Sequence, residues 1–207
     1  MSKDRLEAFS DGVFAIAITL LVLDIGVPEP GASGLAHALA EQWPVYAAYA
    51  VSFLTIGIIW INHHAVMAHL VRADRPLLLL NLLLLGWVSL IPWPTGLTAT
   101  YMQVGGNDER VAAIVYAGVM AGMGLTFGAL WRYATKDRRL IRSELSDAEV
   151  RRATRRFTLG GPIYVLAMAL ALVNAPASLA VVGVLAGYYV LPSGGSIPHP
   201  VERRNTT

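Results

Sequence analysis

Long apolar runs, separated by short charged segments, dominate this chain. An α-helix rises ~1.5 Å per residue, so about 20 apolar residues cross the hydrocarbon core of a bilayer. Six stretches meet or approach that length: Leu6 to Val27, Val45 to Val66, Pro76 to Leu97, Arg110 to Trp131, Phe157 to Val173 and Ala177 to Leu191. The last two are short, and Asn174-Ala175-Pro176 between them predicts a helical hairpin with a tight turn. Pro28 and Pro30 end the first helix, and the polar link from Gly31 to Trp43 has room for a short interfacial helix. Pro92-Trp93-Pro94 should kink or end the third helix near a membrane surface, where tryptophan is at home. The expected fold is an all-α integral membrane protein, with one six-helix domain over residues 1–192 and a flexible Gly- and Pro-containing tail over 193–207.

Composition supports that expectation. Hydrophobic residues make up 55% of the chain and charged ones 14%, against roughly 25% charged in globular domains. A soluble bundle would scatter charge along every helix to keep one face wet. Lys3 and Arg5 precede an apolar run, as in a secretory signal. Asp4 and Glu7 dilute that positive end, however, and Asp11 interrupts the run, so a resident first helix is expected rather than a cleaved leader. The chain has no cysteine, which excludes disulfides, thiolate metal sites and cysteine nucleophiles.

The charges give an orientation. Lys3 and Arg5 precede the first helix, Arg72 and Arg75 lie between the second and third, and Arg203 and Arg204 are in the tail. Between the fourth and fifth lie Arg132, Lys136, Arg138, Arg139, Arg142, Arg151, Arg152, Arg155 and Arg156. In a six-helix arrangement all of these fall on one side, and only Arg110 falls on the other. The positive-inside rule makes the basic side cytoplasmic, with both termini there. The run from Arg132 to Arg156 has no aromatic platform or DNA-reading motif. It reads as a juxtamembrane segment near anionic lipid, not a nucleic-acid site. Within it, Ser146 and Glu149 have the spacing of a capping box that would extend the fifth helix into the cytoplasm. The expected location is a cell membrane, and the Arg-, Ala- and Gly-rich composition suggests a bacterial one.

Charges inside a span are expensive and therefore candidates for function. At ~100° per residue, Phe9, Gly12, Ile16, Thr19, Leu20 and Leu23 share one face of the first helix, and Asp11 points ~140° away from Ile16. Asp11 needs a donor: a histidine, a tryptophan N–H or a backbone N–H. His63 and His64 lie at the same depth on the second helix, so a pairing with Asp11 is expected there. That cluster reads as structural first, as a proton relay second and as a metal site last, because His63, His64 and His69 lack a zinc-enzyme spacing. Asn81, Ser89, Thr95, Thr98 and Thr100 read as interhelical glue, and the G-x-x-x-G pairs Gly118/Gly122 and Gly124/Gly128 as packing. No Walker loop, nucleophile elbow or carbonyl-type selectivity filter is present. An enzyme is not expected, nor is a cofactor or a bound metal.

The segment Arg5-Leu6-Glu7-Ala8-Phe9-Ser10-Asp11, followed by Thr19 and Leu23, resembles the R-x-x-x-F-S-D signature of the transmembrane protein 175 family. Trp60-x-x-His63, the stretch from Arg72 to Leu80 and Ile91-Pro92-Trp93-Pro94-Thr95 are also similar to that family, so the likeness spans about residues 5 to 100. Its animal members are lysosomal cation channels, and its bacterial members carry one six-helix unit per chain. The resemblance implies a homotetramer in which four copies of the first helix line a pore permeated by potassium ions. It places Ile16, Leu20 and Leu23 at a hydrophobic constriction and Thr19 in a polar layer. It places Arg5, Phe9, Ser10, Asp11, Trp60 and His63 in a structural or gating network. A modest preference for potassium over sodium follows. The rival expectation is a proton-coupled secondary transporter that uses Asp11 and His63.

Overall fold

The computed structural model describes residues 3–30, 34–102 and 104–190. Its α-helices are α1 (Lys3–Leu20), α2 (Leu35–Glu41), α3 (Trp43–His69), α4 (Arg75–Leu90), α5 (Pro92–Tyr101), α6 (Gly106–Thr135), α7 (Asp147–Ala171) and α8 (Ala175–Val190). A 3-10 turn over Leu21–Asp24 continues α1. Four segments are long and apolar enough to cross a membrane: Lys3–Asp24, Trp43–His69, Arg75–Tyr101 and Gly106–Arg138. The chain is a multi-pass membrane protein. The fifth expected stretch is the second half of α7, whose first half carries arginines. The sixth is α8, which at 16 residues is shorter than a straight span needs. The expected tail over 193–207, with Arg203 and Arg204, lies outside the described residues.

The breaks between helices have local causes. Pro92 has no N–H for the Val88 carbonyl, and the Ile91 N–H takes that carbonyl instead at 3.1 Å. The third apolar stretch therefore divides at Ile91 and continues to Tyr101, beyond the expected end at Leu97. Asp74 caps α4, accepting the Leu77 N–H at 3.1 Å. It also accepts the Tyr133 hydroxyl at 2.7 Å and lies 3.9 Å from Arg139. Desolvation raises the Asp74 pKa, but these donors and the nearby cation outweigh it and hold the carboxyl below its usual range. Ser146 and Glu149 form the capping box that starts α7, with the Ser146 N–H donating to the Glu149 carboxylate at 2.8 Å. In the α7–α8 turn the Asn174 side-chain oxygen accepts the Ala177 N–H at 2.9 Å, and Ser178 donates to Ala167 O at 2.7 Å.

Two sets of contacts identify the ends of the bundle. At one end Val71 N–H donates to Leu140 O at 2.9 Å and Arg142 N–H to His69 O at 3.0 Å. These bonds clip the α3–α4 loop to the α6–α7 loop. Lys3 Nζ donates to Ala68 O at 3.4 Å, which brings the start of α1 to the same end. At the other end Gln42 donates to Gly26 O at 3.2 Å. There Asp24 also lies so close over α5 that a Cβ on Gly96 would be 2.8 Å from its Oδ1. Lys3, Arg5, Arg72, Arg75 and the arginines of the α6–α7 loop therefore share one end of the molecule.

The interior centres on α6, which carries the fully buried Trp131, Met120 and Leu130. Apolar burial contributes little to helix association in lipid, since lipid tails are as apolar as leucine; close packing matters more. A Cβ on Gly124 would sit 3.0 Å from the Gly161 nitrogen of α7, and one on Gly128 would sit 3.2 Å from the Phe157 carbonyl. Gly122 turns toward α4, where a Cβ would lie 2.6 Å from the Trp87 ring. The small residues of α6 are thus packing positions for two different neighbours. Gly124→Val and Gly161→Val should each cost about 1–3 kcal/mol by overpacking and lower the unfolding temperature of the purified protein. Gly57→Ala and Gly183→Ala, where nothing lies within 4 Å of the added carbon, should leave it unchanged; equal effects at all four positions would refute this packing scheme.

Candidate functional site on the first helix

The two faces of α1 have different surroundings. Leu6, Ser10, Phe14, Ala17 and Leu21 recur at helical spacing and are buried; this ridge packs against α3, α4 and α5. The opposite face is open: Phe9 is 54% exposed, Ile16 62%, Leu20 42% and Leu23 74%. Leu23 aligns with Leu20 because the 3-10 turn advances three residues per revolution, so residues three apart eclipse. Thr19 lies among these residues and is exposed. Its hydroxyl proton turns back to the Ala15 and Ile16 carbonyls, each at 2.9 Å. The lone pairs of its oxygen remain on the open face, where they can accept from water or meet a cation.

Polar contacts beside the buried ridge come from α3 and α4. The Trp60 indole N–H donates to Asp11 Oδ1 at 2.8 Å, and His64 Nδ1 is 2.9 Å from Glu7 Oε1. Glu7 and Asp11 are four residues apart, as are Trp60 and His64, so two neighbouring helices running in opposite directions match one pair to the other. The expected pairing of Asp11 with His63 or His64 is therefore corrected. His64 is held by Glu7, one turn closer to the chain start. His63, one residue or ~100° away around α3, is buried and turned toward α4.

There, Asn81 is the hub. Its Nδ2 donates to Ser10 Oγ at 3.0 Å, and its Oδ1 lies 2.7 Å from His63 Nε2. Because Oδ1 can only accept, this geometry requires the proton on Nε2 of His63. Ser10 in turn donates to Leu6 O at 2.8 Å, and the His63 ring lies 5.3 Å from the Phe14 ring between centroids. A buried chain thus joins α1, α4 and α3. Ser10 and His63 belong to this buried chain, Asp11 and Trp60 form a separate pair beside it nearer the surface, and Arg5 and Phe9 are exposed, away from both. Two participants were not singled out from the sequence. Asn81 has the local sequence signature of general interhelical glue. Glu7 carried a usable signal: its four-residue spacing from Asp11.

A second polar cluster lies near the other end of the bundle. Ser52 Oγ is 2.8 Å from Thr95 Oγ1 and 3.2 Å from the Tyr116 hydroxyl, at the wall of a crevice of 470 Å³ between α3, α5, α6 and α8. It does not involve α1. Among the described residues no group of three or more His, Asp or Glu is arranged to hold a metal ion.

Comparisons with known proteins agree with this architecture. Residues 5–92 match the family described as the endosomal/lysosomal potassium channel TMEM175. A potassium channel of Streptomyces collinus is 54% identical over 187 residues, covering 89% of this chain and 90% of that one. A potassium channel of Chamaesiphon minutus is 41% identical over 192 residues, covering 91% and 94%. The crystal structure of a lysosomal potassium-selective channel TMEM175 homolog from Chamaesiphon minutus superposes with a TM-score of 0.82 at 40% identity, over 91% of this chain and 96% of that one.

The Ser10–Asn81–His63 chain should behave as one unit. Asn81→Leu strands a buried imidazole N–H and should destabilise the protein by on the order of 1–2 kcal/mol. In a double-mutant cycle on the unfolding free energy, Ser10→Ala and Asn81→Leu should couple by about 0.5 kcal/mol or more. Strict additivity would mean that the bond between them contributes nothing.

Proposed function

The chain belongs to the TMEM175 family, and from that premise we propose that it is a potassium-permeable cation channel whose conducting pathway is lined by the open face of α1. The observation that carries this reading is the exposed stripe of Ile16, Leu20 and Leu23, interrupted by the acceptor oxygen of Thr19. Four copies of the subunit around one axis would turn each of these residues into a ring. The likeness to the full-length potassium channels supports the assembly, as does the contrast between this stripe and the buried ridge behind it.

In such a pore the apolar rings act as a barrier by dewetting when narrow, and pass partly dehydrated ions when wider. No ring of backbone carbonyls replaces the hydration shell, so discrimination follows the cost of shedding water. Potassium holds its water less tightly than sodium and passes more readily, which yields a modest preference. The Thr19 ring offers oxygens midway. Asp24, exposed at the outer end of α1, would concentrate cations at the entrance. The channel needs no cofactor; potassium ions are its permeant species.

Six crossings complete the topology, with α7 and α8 as the last pair, both termini and the basic loops cytoplasmic, and the bacterial plasma membrane as location. The clipped loops at the basic end and the full-length bacterial relatives support this placement. The carrier alternative has less support. Asp11 accepts from the Trp60 indole and His63 is bonded to Asn81, so the hydrogen bonds of both groups go to other partners. The centre of α1 is also unbroken helix, whereas carriers bind substrate near the midplane at interrupted helices.

The test is ion flux through the purified protein in liposomes. Wild type should pass potassium faster than sodium and exclude a large organic cation. Leu20→Asn should wet one of the apolar rings, raise sodium flux and compress the potassium-to-sodium ratio. The change should be on the order of tenfold, the factor that ~1.4 kcal/mol of altered barrier produces. Unchanged flux and selectivity in Ile16→Asn, Leu20→Asn and Leu23→Asn would contradict the assignment.

A further inference from the structure

At the basic end of α7, arginines occupy two neighbouring rows of the helix surface: Arg151 with Arg155, and Arg152 with Arg156, each pair four residues apart. The apolar part of the helix begins at the next residue, Phe157. These arginines line a cleft of 400 Å³ whose remaining wall includes Leu159 and Tyr188, and among the described residues no acidic side chain lines it. Arg151 and Arg155 are exposed, as are Leu159 and Tyr188.

The floor of this cleft is built. Arg156 is buried at 7% exposure; its Nη2 donates to Tyr189 O at 3.0 Å, and its guanidinium lies 5.4 Å from the Tyr189 ring centroid. The Tyr189 hydroxyl returns a bond to Arg156 O at 2.7 Å. A Cβ on Gly160 would lie 2.9 Å from that hydroxyl, so the tyrosine closes down over a glycine. The nearby Glu149 carboxylate is occupied by the Ser146 N–H and hydroxyl at 2.8 and 2.7 Å. It does not line the cleft.

We propose that this cleft binds the phosphate of an anionic phospholipid, with the guanidinium groups of Arg151 and Arg155 on the phosphate oxygens and an acyl chain running down past Leu159. Arginine presents planar, forked donors that match phosphate geometry. The cleft opens at the level where α7 passes from charged to apolar surface, which is where a lipid phosphate lies when α7 crosses the bilayer. Its apolar lower wall continues into the exposed side of α7, including Leu166 at 68% exposure. That combination suits a lipid better than a soluble phosphate, which would leave Leu159 and Tyr188 without a role. The cleft is also remote from the open face of α1, because α1 packs on α3, α4 and α5 whereas α7 packs chiefly on α6 and α8. It therefore remains available to surrounding lipid when copies of α1 meet. The inference rests on the bilayer placement of α7 and α8 given above.

The experiment is native mass spectrometry of the purified full-length protein in detergent, with phosphatidylglycerol and phosphatidylcholine of identical acyl chains. It does not depend on flux, so its failure is separate from failure of the channel reading. Phosphatidylglycerol should be retained in preference to phosphatidylcholine. The double variant Arg151→Gln/Arg155→Gln should weaken that retention by about 30-fold, compounding the roughly fivefold that one arginine contributes near an anionic surface. Arg72→Gln, in the α3–α4 loop, should not change it, and an unaltered unfolding temperature will show that the double variant is folded. Excess glycerol phosphate or inorganic phosphate should not displace the lipid. Equal retention of the two lipids, or full retention by the folded double variant, would overturn the proposal. Displacement by either soluble phosphate would reassign the cleft to a soluble anion.

Discussion

The rotation of α1 about its own axis is the constraint on which the rest of this structure depends. Lipid tails offer no strong apolar reason for a helix to turn one greasy face rather than another toward its neighbours. The choice falls to polar groups that cannot be left without partners. Buried Asn81 donates to Ser10, and Asp11 accepts the Trp60 N–H. These two contacts are one residue apart on α1 and engage different helices, so they fix the angle as two points fix a line. A rotation of ~100°, the step of one residue, would break both and bury part of the open stripe. With the angle set, Ile16, Thr19, Leu20 and Leu23 have to face away from their own subunit.

The same polar chain links α1 to the rest of the fold. His63 on α3 and Asn81 on α4 are both buried and bonded to each other, so α1 docks on a pair of helices already joined. Beyond them, α6 and α7 meet through Gly124 and Gly161 at backbone distance, forming a tightly packed block against which α4 and α5 rest. The subunit is graded accordingly, from a glycine-packed scaffold on one side, through a hydrogen-bonded layer, to a single helix with an unoccupied face. In the proposed channel the open face is the part that meets the ions, and the remainder holds it in place.

Much of this could be read from residue spacing. The 3.6-residue period separated the open stripe of α1 from Asp11 correctly, because a helix with one buried ridge must show that period. Leu23 lies on the stripe for an additional reason that the period does not contain, the switch to a 3-10 turn after Leu20. Depth alone pairs Asp11 with a histidine. Depth did not register that Glu7, one turn earlier, competes for His64 and so shifts the pairing by one turn, to Trp60. Asn81 was lost among the other polar residues of its stretch, since one asparagine in a leucine-rich run has the same local signature whether it meets another helix or only its own backbone. The number of crossings was legible for four segments and less so for α7, because four arginines in its first half lower its apolar character although the helix itself runs unbroken from the capping box at Ser146.

The central claim is that the open face of α1 borders the ion pathway and not lipid. The chain contains no cysteine, so a single introduced thiol can be addressed cleanly. Silver ions travel with the permeant cations and bind thiolates, and potassium flux through liposomes bearing Leu20→Cys can be followed as silver is added. Rapid block of Leu20→Cys, with no block of wild type or of Leu79→Cys on the exposed side of α4, is the result this account predicts. Potassium flux that persists in Leu20→Cys while Leu79→Cys is blocked would contradict it, and would move the pathway from α1 to α4.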